Sequence, residues 1–150
     1  MPDCSSSRAG RLRFQFGVTV TAMNILVVDD EPALRQLIRR FLVRDFQVTI
    51  LEADDGVTAL ERLRHEQVDL VLLDVSMKAM GGIETLEAIR GSEKYAHVPV
   101  VLMTAQADEQ YVRRAAELGI ADFIVKPFTP ATLCARMSSI IGERAAVTAR

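Results

Sequence analysis

Five polar side chains each follow a short apolar segment, and together they could bind a metal ion and a phosphoryl group. Three carboxylates brought to one place repel one another strongly, and a divalent cation would relieve that repulsion. Oxygen ligands suit Mg²⁺, which also binds phosphate oxygens, while a lysine and a threonine could hold the other phosphoryl oxygens. One carboxylate could then act as a nucleophile and form an acyl phosphate. The side chains are Asp29 and Asp30 after residues 24–28, Asp74 after 69–73, Thr104 after 98–103 and Lys126 after 121–125.

The apolar segments have the composition of buried parallel strands. Each is an almost unbroken run of Val, Ile and Leu, without the alternation typical of a half-exposed strand. Amphipathic helical patterns separate these runs, so we predict an α/β fold with a doubly wound, five-stranded parallel sheet. The ligand site of such a sheet lies at the carboxyl ends of the strands. The predicted strands are 24–28, 47–51, 69–73, 98–103 and 121–125, and the predicted helices lie around 34–42 and at 56–65, 83–90, 107–118 and 130–141.

Two other interpretations of these polar residues are open at this point. Taken singly, Asp30 and Asp74 could be helix N-caps, and Thr104 could be a cap or turn residue. A nucleotide-binding enzyme on the same architecture would need a glycine-rich loop after the first strand. The chain instead has the acidic sequence 29–32, which would repel phosphate in the absence of a metal. The occurrence of all five residues at predicted strand ends favours the metal and phosphoryl site.

Composition bounds the class of protein. The chain has 150 residues, of which 49% are hydrophobic and 25% charged, as expected for one domain with a core. With 18 Lys and Arg against 20 Asp and Glu, it lacks the basic excess that direct DNA binding would need. No apolar run exceeds four residues, which predicts a soluble protein without a membrane span. The two cysteines, Cys4 and Cys134, predict neither a disulfide framework nor a zinc site and fit a cytoplasmic location.

The first 22 residues differ from the rest of the chain. They contain three consecutive serines and three arginines, and they have no clear helical or strand periodicity. We expect residues 1–22 to be a disordered extension. Because Met23 directly precedes the first apolar segment, we hypothesise that translation begins there.

Four motifs in the same order resemble the receiver domain of bacterial two-component response regulators, the family of the single-domain chemotaxis regulator. The resemblance covers residues 23–143 and leaves 144–150 as a C-terminal tail. It implies a flavodoxin-like receiver fold with strand order 2-1-3-4-5. The motifs are residues 25–31 (ILVVDDE), 69–77 (DLVLLDVSM) followed by Gly82, 99–105 (PVVLMTA) and 122–128 (DFIVKPF).

The resemblance assigns a role to each polar residue at the strand ends. Asp74 is similar to the phosphoacceptor and also to a Mg²⁺ ligand. Asp30 resembles the direct Mg²⁺ ligand, Asp29 the one that acts largely through water, and Ser76 the residue that offers its backbone carbonyl.

Three further positions resemble the residues that respond to the phosphoryl group. Lys126 looks like the lysine that pairs with it, and the Lys126–Pro127 bond is expected to be cis. Thr104 and Phe123 resemble the switch pair, in which the hydroxyl moves toward the phosphoryl group and the ring turns inward.

The chain departs from the family pattern at Lys78, where a proline is usual. Lys78 could screen the phosphoryl group or point to solvent. We interpret the arginines on the first predicted helix as a solvated face, and a role in kinase docking is the alternative. They are Arg35, Arg39 and Arg40.

The resemblance implies a stand-alone response regulator that turns over no external substrate. Its expected partners are a histidine kinase or histidine phosphotransfer protein and a downstream target protein, with Mg²⁺ as cofactor and homodimerisation on phosphorylation left open. The alternative is a receiver-like module that binds its partner without phosphorylation. Loss of the acidic pair, the acceptor or the lysine would favour that alternative, and all four are present.

Overall fold

The computed structural model describes residues 22–77, 79–105 and 109–148. The predicted N-terminal extension, apart from Ala22, and Lys78 therefore lie outside the described residues. Strands and helices alternate along the chain. They are β1 (Met23–Val28), α1 (Pro32–Asp45), β2 (Val48–Ala53), α2 (Gly56–His65), β3 (Leu70–Asp74), α3 (Gly82–Arg90), β4 (Val100–Thr104), α4 (Glu109–Leu118), β5 (Asp122–Val125) and α5 (Pro130–Thr148).

The five strands form one parallel sheet in the order β2-β1-β3-β4-β5, which confirms the predicted fold class and strand order. The register aligns the carboxyl ends of the strands: Val28 lies beside Leu73, and Thr104 lies beside Val125. The strand order reverses between β1 and β3, so a crevice opens at this edge of the sheet.

Helices cover both faces of the sheet, which explains why most strand positions are apolar. In β1, Ile25 and Val27 belong to one buried cluster, which includes Ile38 of α1 and Leu133 of α5. Leu26 and Val28 belong to the other, with residues of α2, α3 and α4. All four β1 residues are fully buried. Burial of this extent supplies the main driving force for the fold.

Several element boundaries differ from those predicted. β2 runs through Glu52 to Ala53, because arginines on α1 pair with the Glu52 carboxylate and allow a charged residue within the strand. α5 continues to Thr148, beyond the predicted end at residue 141. Pro130 begins α5, at the predicted start of that helix, and Gly119, with φ 89°, follows the last residue of α4.

Cys134 is buried in the core. Among the described helices, none combines the length and apolar character needed to cross a membrane.

Candidate functional site

An acidic cluster lies at the carboxyl ends of β1 and β3. Asp29, Asp30 and Asp74 can each place one carboxylate oxygen within 4.8 Å of the others. Asp29 is fully buried, Asp74 is 3% exposed, and Asp30 is half-buried. In the part of the chain that the structure describes, the metal-ligand side chains that converge here are all carboxylates, and hard cations such as Mg²⁺ prefer oxygen donors. The three residues therefore fit a divalent cation, as the sequence predicted.

Lys126, which directly follows the edge strand β5, links this strand to the acidic cluster. Its Nζ donates to Oδ2 of Asp29 at 2.8 Å and to Oδ1 of Asp74 at 3.0 Å. Its backbone N–H donates to the carbonyl of Thr104 at 2.6 Å, so the lysine is held beside the end of β4. The Lys126–Pro127 peptide is cis, as predicted. One ammonium group thus contacts both strands that carry the acidic residues.

Among the described residues, the charges at the site are only partly balanced. Burial raises the pKa of Asp74, and the negative charge of Asp29 adds to this effect, although the hydrogen bond from Lys126 opposes it. Burial alone would lower the pKa of Lys126, but its hydrogen bonds to Asp29 and Asp74 outweigh burial, so its pKa is raised. One lysine does not neutralise three carboxylates. The site is therefore most favourable with an additional cation.

Neither Asp30 nor Asp74 is a helix N-cap, so that interpretation is wrong. Glu31 occupies the N-cap position of α1, and Gly81 occupies that of α3. The neighbouring Asp29 accepts a hydrogen bond from the Glu31 amide at 2.9 Å through Oδ1. The carboxylates are thus oriented toward the crevice by the strand ends and do not serve to start a helix.

Gly82 sets the distance between α3 and the acceptor strand. A Cβ at this position would lie 2.3 Å from the Asp74 carbonyl and 2.7 Å from Cα of Val75. The Gly82 amide donates to the Val75 carbonyl at 3.0 Å. Only a glycine allows the first turn of α3 to approach the backbone around Asp74 this closely. The sequence placed Gly82 in a motif, but the reason for it is visible only in the packing.

The predicted switch residues lie next to each other. Thr104 is the last residue of β4 and is 5% exposed, and Phe123 lies half-buried on β5. Both line one cavity of about 10 Å³, together with Tyr111 of α4. Phe123 also borders a groove of about 290 Å³ between β5 and α5. The cavity is too small for a ring, so inward movement of Phe123 requires its neighbours to move.

Ser76 is exposed, and its backbone N–H donates to the Asp74 carboxylate. The role assigned to its carbonyl stays a prediction. The roles proposed for Lys78 concern a residue outside the described part of the chain.

Arg35 is a residue near the site that the sequence misplaced. It was grouped with the solvated face of α1, but its side chain is only 16% exposed. It donates to the carbonyl of Asp29 and to the carboxylate of Glu52. The position of Glu52 directly after the predicted strand 47–51 was the available signal, because a carboxylate carried into a strand needs a partner.

The fold and site together define a doubly wound α/β domain with a carboxylate and lysine centre suited to a cation and a phosphoryl group. Residues 25–138 match the family of the response regulator receiver domain, and the chain belongs to this family. Such domains accept phosphoryl groups in two-component signalling.

Curated relatives and a solved structure agree with this assignment. The chain is 41% identical over 119 residues to chemotaxis protein CheY-3 of Vibrio cholerae, covering 79% of this chain and 91% of that protein. It is 40% identical to chemotaxis protein CheY of Pseudomonas aeruginosa, covering 79% of this chain and 95% of that protein. The structure of the chemotaxis response regulator CheY4 of V. cholerae superposes with a TM-score of 0.73 at 28% identity, covering 80% of this chain and 99% of that one.

Proposed function

We propose that the protein is a stand-alone response regulator that accepts a phosphoryl group on Asp74. The donor is a phosphohistidine of a histidine kinase or a histidine phosphotransfer protein. The observation that carries the proposal is the buried Asp74 carboxylate, held 3.0 Å from the Lys126 ammonium beside Asp29 and Asp30. A nucleophile, a fixed cation and further metal-type ligands thus occupy one edge of the sheet.

The transfer is a displacement at phosphorus. A carboxylate oxygen of Asp74 forms an O–P bond as the P–N bond of the phosphohistidine breaks, and the imidazole leaves with the bonding electron pair and is protonated by solvent. Lys126 would exchange the hydrogen bond that it donates to Asp74 for one to a phosphoryl oxygen. The Thr104 hydroxyl would donate to another phosphoryl oxygen. Since the only covalent change is on its own side chain, we propose no turnover of an external substrate.

The acidic cluster would hold Mg²⁺ through Asp29, Asp30 and Asp74, with the carbonyl of Ser76 as a further ligand. When bound, the ion supplies positive charge that offsets the carboxylates and the incoming phosphoryl oxygens. The unbalanced charge described above supports this assignment.

Signalling would follow from the charge that phosphorylation adds. About −1.5 to −2 charge units at the strand ends would attract the Thr104 hydroxyl. Movement of Thr104 would enlarge the small cavity that it shares with Phe123, and the ring would turn inward to fill it. The surface formed by α4, β5 and α5 would change shape, and a target protein would bind one of the two forms more tightly.

The test is the intact mass of the full chain after incubation with Mg²⁺ and a small-molecule phosphodonor. We expect a gain of one phosphoryl group that disappears in Asp74→Asn and in the presence of a chelator. Asp54→Asn is the matched control, because Asp54 is an exposed aspartate outside the site, and it should gain the group normally. A folded wild type that gains nothing would contradict the proposal and favour the phosphorylation-independent binding module.

A further inference from the structure

Arg35 is enclosed between α1 and the ends of β1 and β2. Its Nη1 donates to the backbone carbonyl of Asp29 at 2.6 Å, and its Nε donates to Oε1 of Glu52 at 3.0 Å. The two side chains of this ion pair are 16% and 26% exposed. A guanidinium that uses two edges in this way has a defined orientation, because its donors lie in one rigid plane.

Glu52 is itself held from two sides. Its Oε2 accepts from Nη1 of Arg39, one turn further along α1, at 2.9 Å. Next to it, the carbonyl of Ala53 accepts from the Asp29 amide at 3.1 Å. The end of β2 therefore fixes Asp29 directly through its backbone and indirectly through Glu52 and Arg35.

These contacts determine where Asp30 lies. The carbonyl of Asp29 belongs to the peptide that leads into Asp30, so the bond from Arg35 fixes the rotation of that peptide plane. The side chain of Asp29 is already engaged by the Glu31 amide and by Lys126. If the peptide rotated, Asp30 would carry its carboxylate away from the cluster that it forms with Asp29 and Asp74.

The pairing with Glu52 has a second consequence. The guanidinium contacts the backbone of Asp29, and if it turned toward the carboxylates it would compete with a bound cation for the same negative charge. Glu52 draws the Nε edge of Arg35 toward β2 and leaves Nη1 directed at a neutral carbonyl. The positive charge of Arg35 is thereby balanced outside the acidic cluster.

We infer that Arg35 and Glu52 form a positioning pair for the cation site. Arg35 holds the Asp29–Asp30 peptide in the orientation that lets Asp30 bind the cation, and Glu52 keeps the guanidinium out of the cluster. This inference rests on the proposed function, because it assigns a purpose to the geometry of the proposed Mg²⁺ site.

The sign of one substitution separates positioning from simple electrostatics. Arg35→Gln removes a positive charge near the site, which by charge alone would strengthen Mg²⁺ binding. The positioning role predicts the opposite, a loss of about tenfold in Mg²⁺ affinity, typical of removing a residue that orients a ligand. Arg40→Gln removes the same charge from an exposed position on α1 and is the matched control. Glu52→Gln should also weaken binding, because the released guanidinium then competes with the ion.

The measurements are isothermal titration of each full-length variant with MgCl₂ and the backbone amide NMR shifts of residues 29–31 in metal-free protein. We expect weaker binding and displaced shifts in Arg35→Gln, near-wild-type values in Arg40→Gln, and partial recovery in Arg35→Lys, which keeps a charge and a donor. Arg35→Gln that binds Mg²⁺ as tightly as the wild type would overturn the inference. If Arg35→Gln fails to fold, the comparison of Arg35→Lys and Glu52→Gln with Arg40→Gln decides.

Failure of the proposed function gives a different result. A wild type that does not bind Mg²⁺ contradicts the proposed site, and the metal-free shifts then decide the positioning role alone. Shifts of residues 29–31 that move in Arg35→Gln and not in Arg40→Gln support that role, and equal shifts in both variants overturn it.

Discussion

At the scale of single residues, burial and hydrogen bonding act in opposite directions at the site. For Asp74, burial prevails and disfavours the ionised carboxylate. For Lys126, the hydrogen bonds prevail and favour the charged ammonium. The stability that Lys126 contributes is fully present below its unfolded pKa and is lost as the pH rises through its raised folded pKa. Asp74 behaves differently. Because its folded pKa is also raised, its favourable contribution exists only at low pH and is lost as the pH rises through that value.

We predict that Asp74→Asn stabilises the metal-free protein. Near pH 7 the substitution should increase the free energy of unfolding by about 1 kcal/mol, because a neutral amide replaces a disfavoured buried carboxylate. Below the ordinary aspartate pKa of 3.8 the difference should vanish. Urea unfolding with a chelator at both pH values measures the effect, and a variant less stable than the wild type near pH 7 would contradict it.

At the scale of elements, two helix starts control the site and its surroundings. α3 begins against the backbone of Asp74, and α2 begins with Asp55 as a side-chain N-cap that accepts from the Thr58 amide at 2.8 Å. The same hydrogen bond lowers the pKa of Asp55. The capping contribution is therefore present above the unfolded pKa and lost as the pH falls through the lowered folded value.

Gly82→Ala should disrupt the acceptor strand, whereas Gly81→Ala should be tolerated. The added methyl at Gly82 meets backbone atoms at 2.3 Å and 2.7 Å, while at Gly81 the nearest atom is 3.7 Å away. We expect a loss of about 2 kcal/mol or more for Gly82→Ala, despite the higher helix propensity of alanine. Urea unfolding of both variants tests this, and equal stability would show that α3 can shift away from β3.

Asp55→Ala should remove about 1 kcal/mol of stability near neutral pH. Asp54→Ala is its matched control, since Asp54 is exposed and its contact with the Thr58 hydroxyl is long, at 3.4 Å. The difference between the two variants should shrink as the pH falls below the lowered pKa of Asp55. Thermal unfolding monitored by circular dichroism at several pH values measures it, and a pH-independent difference would argue against the capping role.

Local sequence predicts the strands and the site residues, but not the contacts between distant elements. The strands were predictable because helices cover both faces of the sheet, so nearly every strand position is apolar. The site residues were predictable because parallel strands end at one edge. Glu52 and Arg35 were not, because their environment depends on the approach of β2 to α1 across 17 positions of chain. The contact of Gly82 with the Asp74 backbone likewise depends on how closely α3 approaches β3.

At the scale of the whole molecule, the sheet acts as a common support for a charge-sensitive centre. Lys126 joins β1, β3 and β5 through two ion pairs, and its amide joins the end of β4. A new charge on Asp74 therefore changes bonds that reach four of the five strands. This arrangement supports the proposal that a covalent change at one edge of the sheet alters the nearby surface.

The most direct test is to locate the phosphoryl group. After treatment with Mg²⁺ and a phosphodonor, reduction with borohydride converts an aspartyl phosphate to homoserine, and tryptic peptide 65–78 can be sequenced by tandem mass spectrometry. The peptide carries its own control, because Asp69 binds the Asn24 amide at the opposite edge of the sheet. We predict homoserine at position 74, aspartate at 69, and no conversion with a chelator. Homoserine at another position, or conversion unaffected by the chelator, would contradict the account.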